Sequence, residues 1–364
     1  MVKRELCEAV FREAIALCDP ALRVREALER APLRGRVIGL AVGKAAVAMA
    51  CGAGPVERGL VVIPRRPVIT LEWDVKESQA LVPAGWTVAV GEHPLPDECS
   101  FEAGRRAIEL IESAGADELV LALISGGTSS LIEQPLVDDY IERVGSALYR
   151  GVPIRELNAL RTSLSAIKGG KLAARCKAPI VTLLVSDVIG DDPLVIGSGP
   201  TIRDGDRVEV VAPMASFGEA ITEALVARDI DARRIAEPID GDVAHVAAQL
   251  AREQGVIVAW GEPTIRLPDD HGEGGRAQQL ALELALVLQG TRRSAFVAGS
   301  DGIDGSTQLG AAGAYIDGRT WQAIGPDAPA ALQRCDAGAV LGRVGALVVT
   351  GPTGINHADI AILG

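Results

Sequence analysis

The chain has 364 residues, 48% of them hydrophobic and 23% charged, a balance that builds large packed cores and excludes a disordered polymer. With 36 basic residues against 48 acidic ones the net charge is −12, the wrong sign for a nucleic-acid binder. No apolar run reaches the roughly 18–20 residues that cross a bilayer, the first eight residues mix charges of both signs instead of forming a secretory signal, and the six cysteines are scattered without close pairs. The expectation is a reduced cytoplasmic protein with no nucleic-acid or membrane partner.

Apolar runs that end in glycine-rich turns recur along the chain. The first, Val37–Val42, meets Gly43-Lys44 and an alanine-rich helical stretch over 45–50. His93-Pro94-Leu95-Pro96-Asp97 stiffens a loop ahead of a helix over 102–113, whose Ala103, Ala107, Leu110 and Ile111 share one face. Leu119–Ile124 leads into Ser125-Gly126-Gly127-Thr128-Ser129-Ser130. Lys168-Gly169-Gly170-Lys171 stands before a helical run at 172–175, and Pro179–Val185 leads into Ser186-Asp187, with Asp191 and Asp192 just beyond. After a charged, mixed stretch over 203–242, helical patterns at 243–253 and 276–288 alternate with apolar runs at Val256–Trp260, Ala295–Ala298 and Leu347–Thr350. Unbroken apolar runs between helices read as buried parallel strands, so the fold class is α/β, with mostly parallel sheets covered by helices. At about 100–200 residues per domain the length holds two. The change of character over 203–242 puts the split near 235, giving domains 1–235 and 236–364. In such sheets ligands bind beyond the carboxyl ends of the strands, where these turns fall.

The turns carry candidate chemistry. Backbone N–H groups and hydroxyls over Ser125, Gly126, Gly127, Thr128 and Ser129 either make a nest for phosphate oxygens or simply connect strand to helix. Only six of the 36 basic residues are lysines, so lysines inside motifs stand out. Lys168, Gly169 and Gly170 before a helix combine dipole, N–H groups and ammonium into an anion site. Lys44 is either a cation for a transferring phosphoryl group or a surface lysine at a helix start. Asp187 and Asp192 past one strand and Asp301 and Asp304 past another suit Mg²⁺ or a hydroxyl better than turn formation alone. Arg276, after Gly274-Gly275, can fork onto a carboxylate or phosphate. His93 reads as structural. The phosphate-binding G-x-x-x-x-G-K-[ST], the dinucleotide G-x-G-x-x-G and the hydrolase G-x-S-x-G are all missing.

Taken in order, these segments resemble the glycerate 2-kinase family with its C-terminal MOFRL domain. The resemblance rests on Gly43-Lys44-Ala45-Ala46, His93–Glu98, Ile124–Ser129, Asn158 with Arg161 ahead of Leu164–Gly170, Ser186–Pro193, Gly197–Thr201, Gly274-Gly275-Arg276, Gly302–Gly305, and Thr350–Gly354 with Asn356. It implies ATP and Mg²⁺ as cofactors, phosphorylation of a small hydroxy acid at the 2-hydroxyl of glycerate, a Rossmann-like first domain and a deep interdomain cleft. It implies catalytic roles for Lys44 and Arg276 and a nucleotide role for Ser125–Ser129. The chain departs from the family pattern at Thr128, Ser130, Ala277, Gln279 and 355–359, and is shorter near the domain junction. For a kinase, Asp187 or Asp304 orients or deprotonates the hydroxyl, and Asp187, Asp192 and Asp301 are the candidate metal ligands. Two other readings stand beside it: an NAD(P)-dependent hydroxypyruvate reductase and a non-catalytic sugar-acid or nucleotide sensor. A homodimer is compatible with the sequence.

Overall fold

Strands as apolar as Leu119–Ile124 must lose water from both faces, and a sheet sandwiched between helix layers achieves this. The computed structural model describes residues 1–65, 79–152, 154–305 and 310–364. Within the unit Asp19–Pro213, β1 (Arg36–Val42), β2 (Arg58–Pro64), β3 (Trp86–Gly91), β4 (Glu118–Ile124), β5 (Ile180–Val185) and β6 (Arg207–Ala212) form one parallel sheet. The order is β3-β2-β1-β4-β5-β6, with Leu40 between Leu60 and Ala122. Leu40, Val42, Ala122 and Ile124 pack with Ala103, Ala107 and Ile111 of the helix Glu98–Glu112. Ala41, Leu121, Leu123 and Leu183 pack the other way, with Val24, Ala46, Met49 and Ala50. Asp97 caps the helix Glu98–Glu112, accepting from Cys99 N at 2.9 Å and Ser100 N at 3.1 Å. The chain leaves β1 toward β2 on one side and reaches β4 on the other, so β1 and β4 flank a topological switch point.

The second unit joins Met1–Cys18 to Met214–Gly364. Its strands are β7 (Ala232–Arg234), β8 (Ile239–Asp242), β9 (Val256–Thr264), β10 (Ser294–Gly299), β11 (Gly313–Asp317), β12 (Leu347–Val348) and β13 (Asp359–Leu363). They lie in the order β12-β11-β10-β13-β9-β7, with β8 also on β9. Here the expectation of a mostly parallel sheet fails. The pairs β12–β11, β11–β10, β10–β13 and β13–β9 are antiparallel, and only β7 and β8 run parallel to β9. Burial on both faces makes a strand continuously apolar whichever way it runs, so the residue pattern carries no direction.

The N-terminal helix Arg4–Leu17 belongs to this second unit because its apolar face is completed there. Phe11 meets Phe217 edge-on at 5.3 Å between ring centroids and Phe296 at 5.4 Å. Val2 is tied down as well: its N–H donates to Ser294 Oγ (3.1 Å), and its carbonyl accepts from Ser294 Oγ and Tyr315 OH, both at 2.8 Å. The split expected near 235 does not coincide with this division, since 235 lies between β7 and β8 inside one packed unit. Among the described residues no helix is long and apolar enough to cross a membrane.

Candidate functional site

In the parallel sheet the turns after β1, β4 and β5 share one edge, which brings together segments far apart in sequence. Lys44 N–H donates to Gly126 O at 2.9 Å, and Ala45 N–H donates to Ser125 Oγ at 3.1 Å. Thr128 Oγ1 lies 2.9 Å from Val42 O and 2.7 Å from Ser125 O. Gly43 sits at φ +125°, and a Cβ there would be 2.1 Å from Ser125 Oγ, so only glycine fits the crossing of the two turns. Ser129 Oγ meets Ser198 Oγ at 3.0 Å, and Ser130 Oγ donates to Gly127 O at 3.2 Å. The hydroxyls expected to line a phosphate nest therefore stitch the two turns together. What the loop leaves open is backbone: among the described residues the Gly126 and Gly127 N–H groups have no intramolecular acceptor.

Lys44 is half-buried, and among the described residues no acid lies within ion-pair distance of its ammonium. A Cβ on Gly127 would lie 3.5 Å from His93 Cδ2 and 3.7 Å from Lys44 Cγ, so both side chains border this glycine. His93 keeps an exposed edge. Desolvation of its ring pushes the imidazole pKa down to about 4, and the Lys44 and Arg161 charges push the same way, so it is neutral at pH 7. Its place beside Lys44 goes beyond the purely structural role expected of it. Arg161, on the helix Ile154–Leu164, is only 8% exposed, and its nearest polar partner is Pro94 O at 3.4 Å from Nη2. Burial lowers its pKa, with Tyr140 and Glu133 opposing. The sequence marks Arg161 as part of the segment Asn158–Gly170 that carries the family resemblance, but assigns it no role. A lone arginine on an amphipathic helix ordinarily points to solvent, and its burial arises only from packing.

Lys168, Gly169 and Gly170 behave differently from expectation. Lys168 is 1% exposed, and its ammonium is ion-paired with the fully buried Glu133. Glu133 also accepts hydrogen bonds from Tyr140 OH and Ser165 Oγ. Gly169 N–H donates to Ser198 O and Gly170 N–H to Gly199 O, both at 2.8 Å. The following helix is a single 3₁₀ turn, Ala173–Arg175, too short to supply the dipole that the anion site required. Lys171 instead donates to Thr162 O (2.6 Å) and Ser165 O (2.7 Å), around the C-terminal end of the helix that carries Arg161. The motif is thus an internal brace.

In the second unit the glycine motifs again converge. Asp304 Oδ1 accepts from Ala277 N (3.0 Å), and its Oδ2 accepts from Gln278 N (2.7 Å) and Gln278 Nε2 (3.0 Å). Asp304 therefore caps the helix Arg276–Val287 across 26 positions of sequence, not as the free carboxylate of a general base. A Cβ on Gly275 would meet Asp304 Oδ1 at 2.3 Å, which explains the glycine. Burial pushes the Asp304 carboxyl up to about 6 against these donors. Arg276 Nη1 pairs with Glu262 Oε1, and its Nε pairs with Asp359 Oδ2, both at 2.6 Å. Burial works against the Arg276 charge, but Asp359 and Glu262 outweigh it, and the guanidinium pKa rises. Burial also pushes the Asp359 carboxyl up to about 7, against Arg276. Asp359 was legible only as part of the final motif; its contact with Arg276, 83 positions away, was not.

The proposed metal carboxylates are divided between the two units. Asp187 is half-buried in the turn after β5. Asp192 is exposed, and its Oδ1 accepts from Leu194 N at 2.9 Å in a turn of its own. Asp301 belongs to the other unit, where its Oδ1 accepts from Ile303 N at 3.2 Å. Among the described residues no three acidic, imidazole or thiol groups cluster as ligands. The donor set fits Mg²⁺ only as an ion carried largely by phosphate oxygens, with Asp187 the carboxylate at the same sheet edge as Lys44.

A cation without an acid, a buried guanidinium and bare N–H groups at the switch point of a doubly wound sheet define a protein that handles a small anionic ligand. Residues 6–225 match the family described as "Domain of unknown function (DUF4147)", and residues 255–359 match the "MOFRL family". The chain is 31% identical to the D-glycerate 2-kinase of Thermotoga maritima, covering 99% of this chain and 97% of that one. It is 34% identical to an Agrobacterium vitis protein described as "Putative hydroxypyruvate reductase", covering 98% and 93%. The crystal structure of glycerate kinase from Thermotoga maritima matches with a TM-score of 0.83 at 28% identity, over 99% of this chain and 98% of that one. The chain belongs to the glycerate 2-kinase family, in which a DUF4147 domain precedes a MOFRL domain.

Proposed function

We propose that the chain transfers the γ-phosphoryl group of ATP to the 2-hydroxyl of glycerate, giving ADP and 2-phosphoglycerate. The observation that carries this reading is Lys44. It stands at the switch point with no acid partner among the described residues, beside the bare Gly126 and Gly127 N–H groups. Phosphoryl transfer asks mainly for positioning and for positive charge on the moving group's oxygens, and this edge supplies both. The N–H groups and Lys44 hold the phosphates. Neutral His93 flanks Lys44 without adding charge. Asp187 is the remaining candidate for orienting the hydroxyl and taking its proton as the new P–O bond forms and the bond to ADP breaks. Mg²⁺ arriving with the nucleotide would neutralise phosphate charge, with Asp187 as its protein carboxylate. Arg276 keeps Nη2 as a donor for a substrate oxyanion, held in place by Glu262 and Asp359. Six free cysteines favour a reducing, cytoplasmic setting.

The test is ADP release over glycerate, tartronate and erythronate, with the phosphorylated position read by NMR. Glycerate is expected to give the 2-phosphate, and ADP release with none of the acids refutes the reading. A reductase is the competing reading, since two relatives carry that description and the strand order is that of dinucleotide folds. Against it, the turn after β1 holds Gly43-Lys44 in place of the glycine fingerprint. NADH oxidation in the presence of hydroxypyruvate decides between the two.

A further inference from the structure

Arg161 is a buried charge without a counter-ion. Charges removed from water are normally paired, yet among the described residues no carboxylate lies within 4.0 Å of this guanidinium, and its one hydrogen bond is the 3.4 Å contact with Pro94 O. The nearby acid, Glu133, is already paired with Lys168 and accepts from Tyr140 and Ser165. Lys44 adds a further positive charge beyond His93, whose ring feels both Lys44 and Arg161. Glu133, the buried carboxylate of this cluster, is thus taken up by Lys168, and Arg161 is left with no acid at ion-pair distance among the described residues. This excess of positive charge sits at the carboxyl edge of the sheet, next to the loop proposed to hold phosphates.

We propose that Arg161 binds the carboxylate of the hydroxy-acid substrate and sets the enzyme's selectivity for acids; this rests on the kinase reading above. The flat guanidinium fork matches a carboxylate, and its single charge matches a monoanion. Lys44 and the Gly126 and Gly127 N–H groups remain for the more highly charged phosphates. The brace formed by Glu133, Lys168, Tyr140 and Lys171 holds the helix that carries Arg161, which preorganises the fork.

The experiment measures, by calorimetry, the binding of glycerate, of its neutral amide and of ATP to the wild-type protein, R161M and R161K, with thermal melting of each ligand-free protein. In R161M the glycerate Kd is expected to rise at least about 30-fold, while the amide and ATP Kd values stay within about threefold. The ligand-free melting temperature is expected to hold or rise, because an unpaired buried charge has been removed. R161K keeps the charge but not the fork and is expected to fall between the two; it also serves if R161M does not fold. An unchanged glycerate Kd, a loss confined to ATP, equal losses for all three ligands, or a wild-type protein that does not bind glycerate overturns the proposal. Wild-type protein that binds glycerate through Arg161 but phosphorylates nothing sinks the kinase reading and leaves this one standing.

Discussion

Replacing Lys168 by Met separates an internal brace from a phosphate ligand. Lys168 is 1% exposed and Glu133 is fully buried, so the variant leaves a carboxylate in the interior with two hydroxyl donors, the Gln134 N–H and no ion-pair partner. Breaking one side of such a pair costs about 3–5 kcal/mol. Burial holds the Lys168 ammonium below its ordinary pKa, with Glu133 opposing. A depressed folded-state pKa means the buried lysine favours the folded state only above its unfolded pKa, and that contribution is lost as pH falls through the folded value. At neutral pH the charge is therefore a cost that the pairing offsets. The double variant K168M/E133Q, which removes both charges, should recover most of the loss. Hydrogen exchange across residues 128–172 reads the effect locally. Protection in K168M should fall by about two to four orders of magnitude, while the unit Met1–Cys18 with Met214–Gly364 is unchanged. ATP affinity, measured at low temperature where the variant is folded, should move little. Unchanged protection together with an ATP Kd raised tenfold or more would refute the brace and restore Lys168 to the nucleotide.

Lys44→Ala should lower kcat by about 10²–10³ with a smaller change in KM, and should not lower the melting temperature, since the ammonium has no acid partner to strand. Phe11→Ala should cost about 3–5 kcal/mol in urea unfolding, because it opens a cavity against Phe217 and Phe296; a surface-like cost below about 1 kcal/mol would detach the first helix from its unit. Asp359→Asn tests the buried carboxyl held up to about 7 by burial. A raised folded-state pKa adds stability below the unfolded value of 3.8 that is lost as pH rises through about 7. Wild-type stability relative to the variant should therefore decline between about pH 4 and 7, as followed by melting temperature.

Much of the α/β layering was legible in the residues alone. Val37–Val42, Leu119–Ile124 and Pro179–Val185 became β1, β4 and β5 within a residue or so, because a strand covered on both faces must be apolar without interruption. The turns after them were legible as ligand edges for the same reason. Three things were decided only by tertiary packing. Strand direction in the second sheet left no trace in composition. Two glycine-flanked lysines that look alike in sequence, Lys44 and Lys168, parted company because Glu133 lies buried beside only one of them. Arg161, marked in the sequence only as part of the segment that carries the family resemblance, became a candidate anion site only when the fold buried it with no described acid within ion-pair distance. Local pattern reports which atoms want to leave water, whereas the partner a charge meets there depends on residues tens to hundreds of positions away.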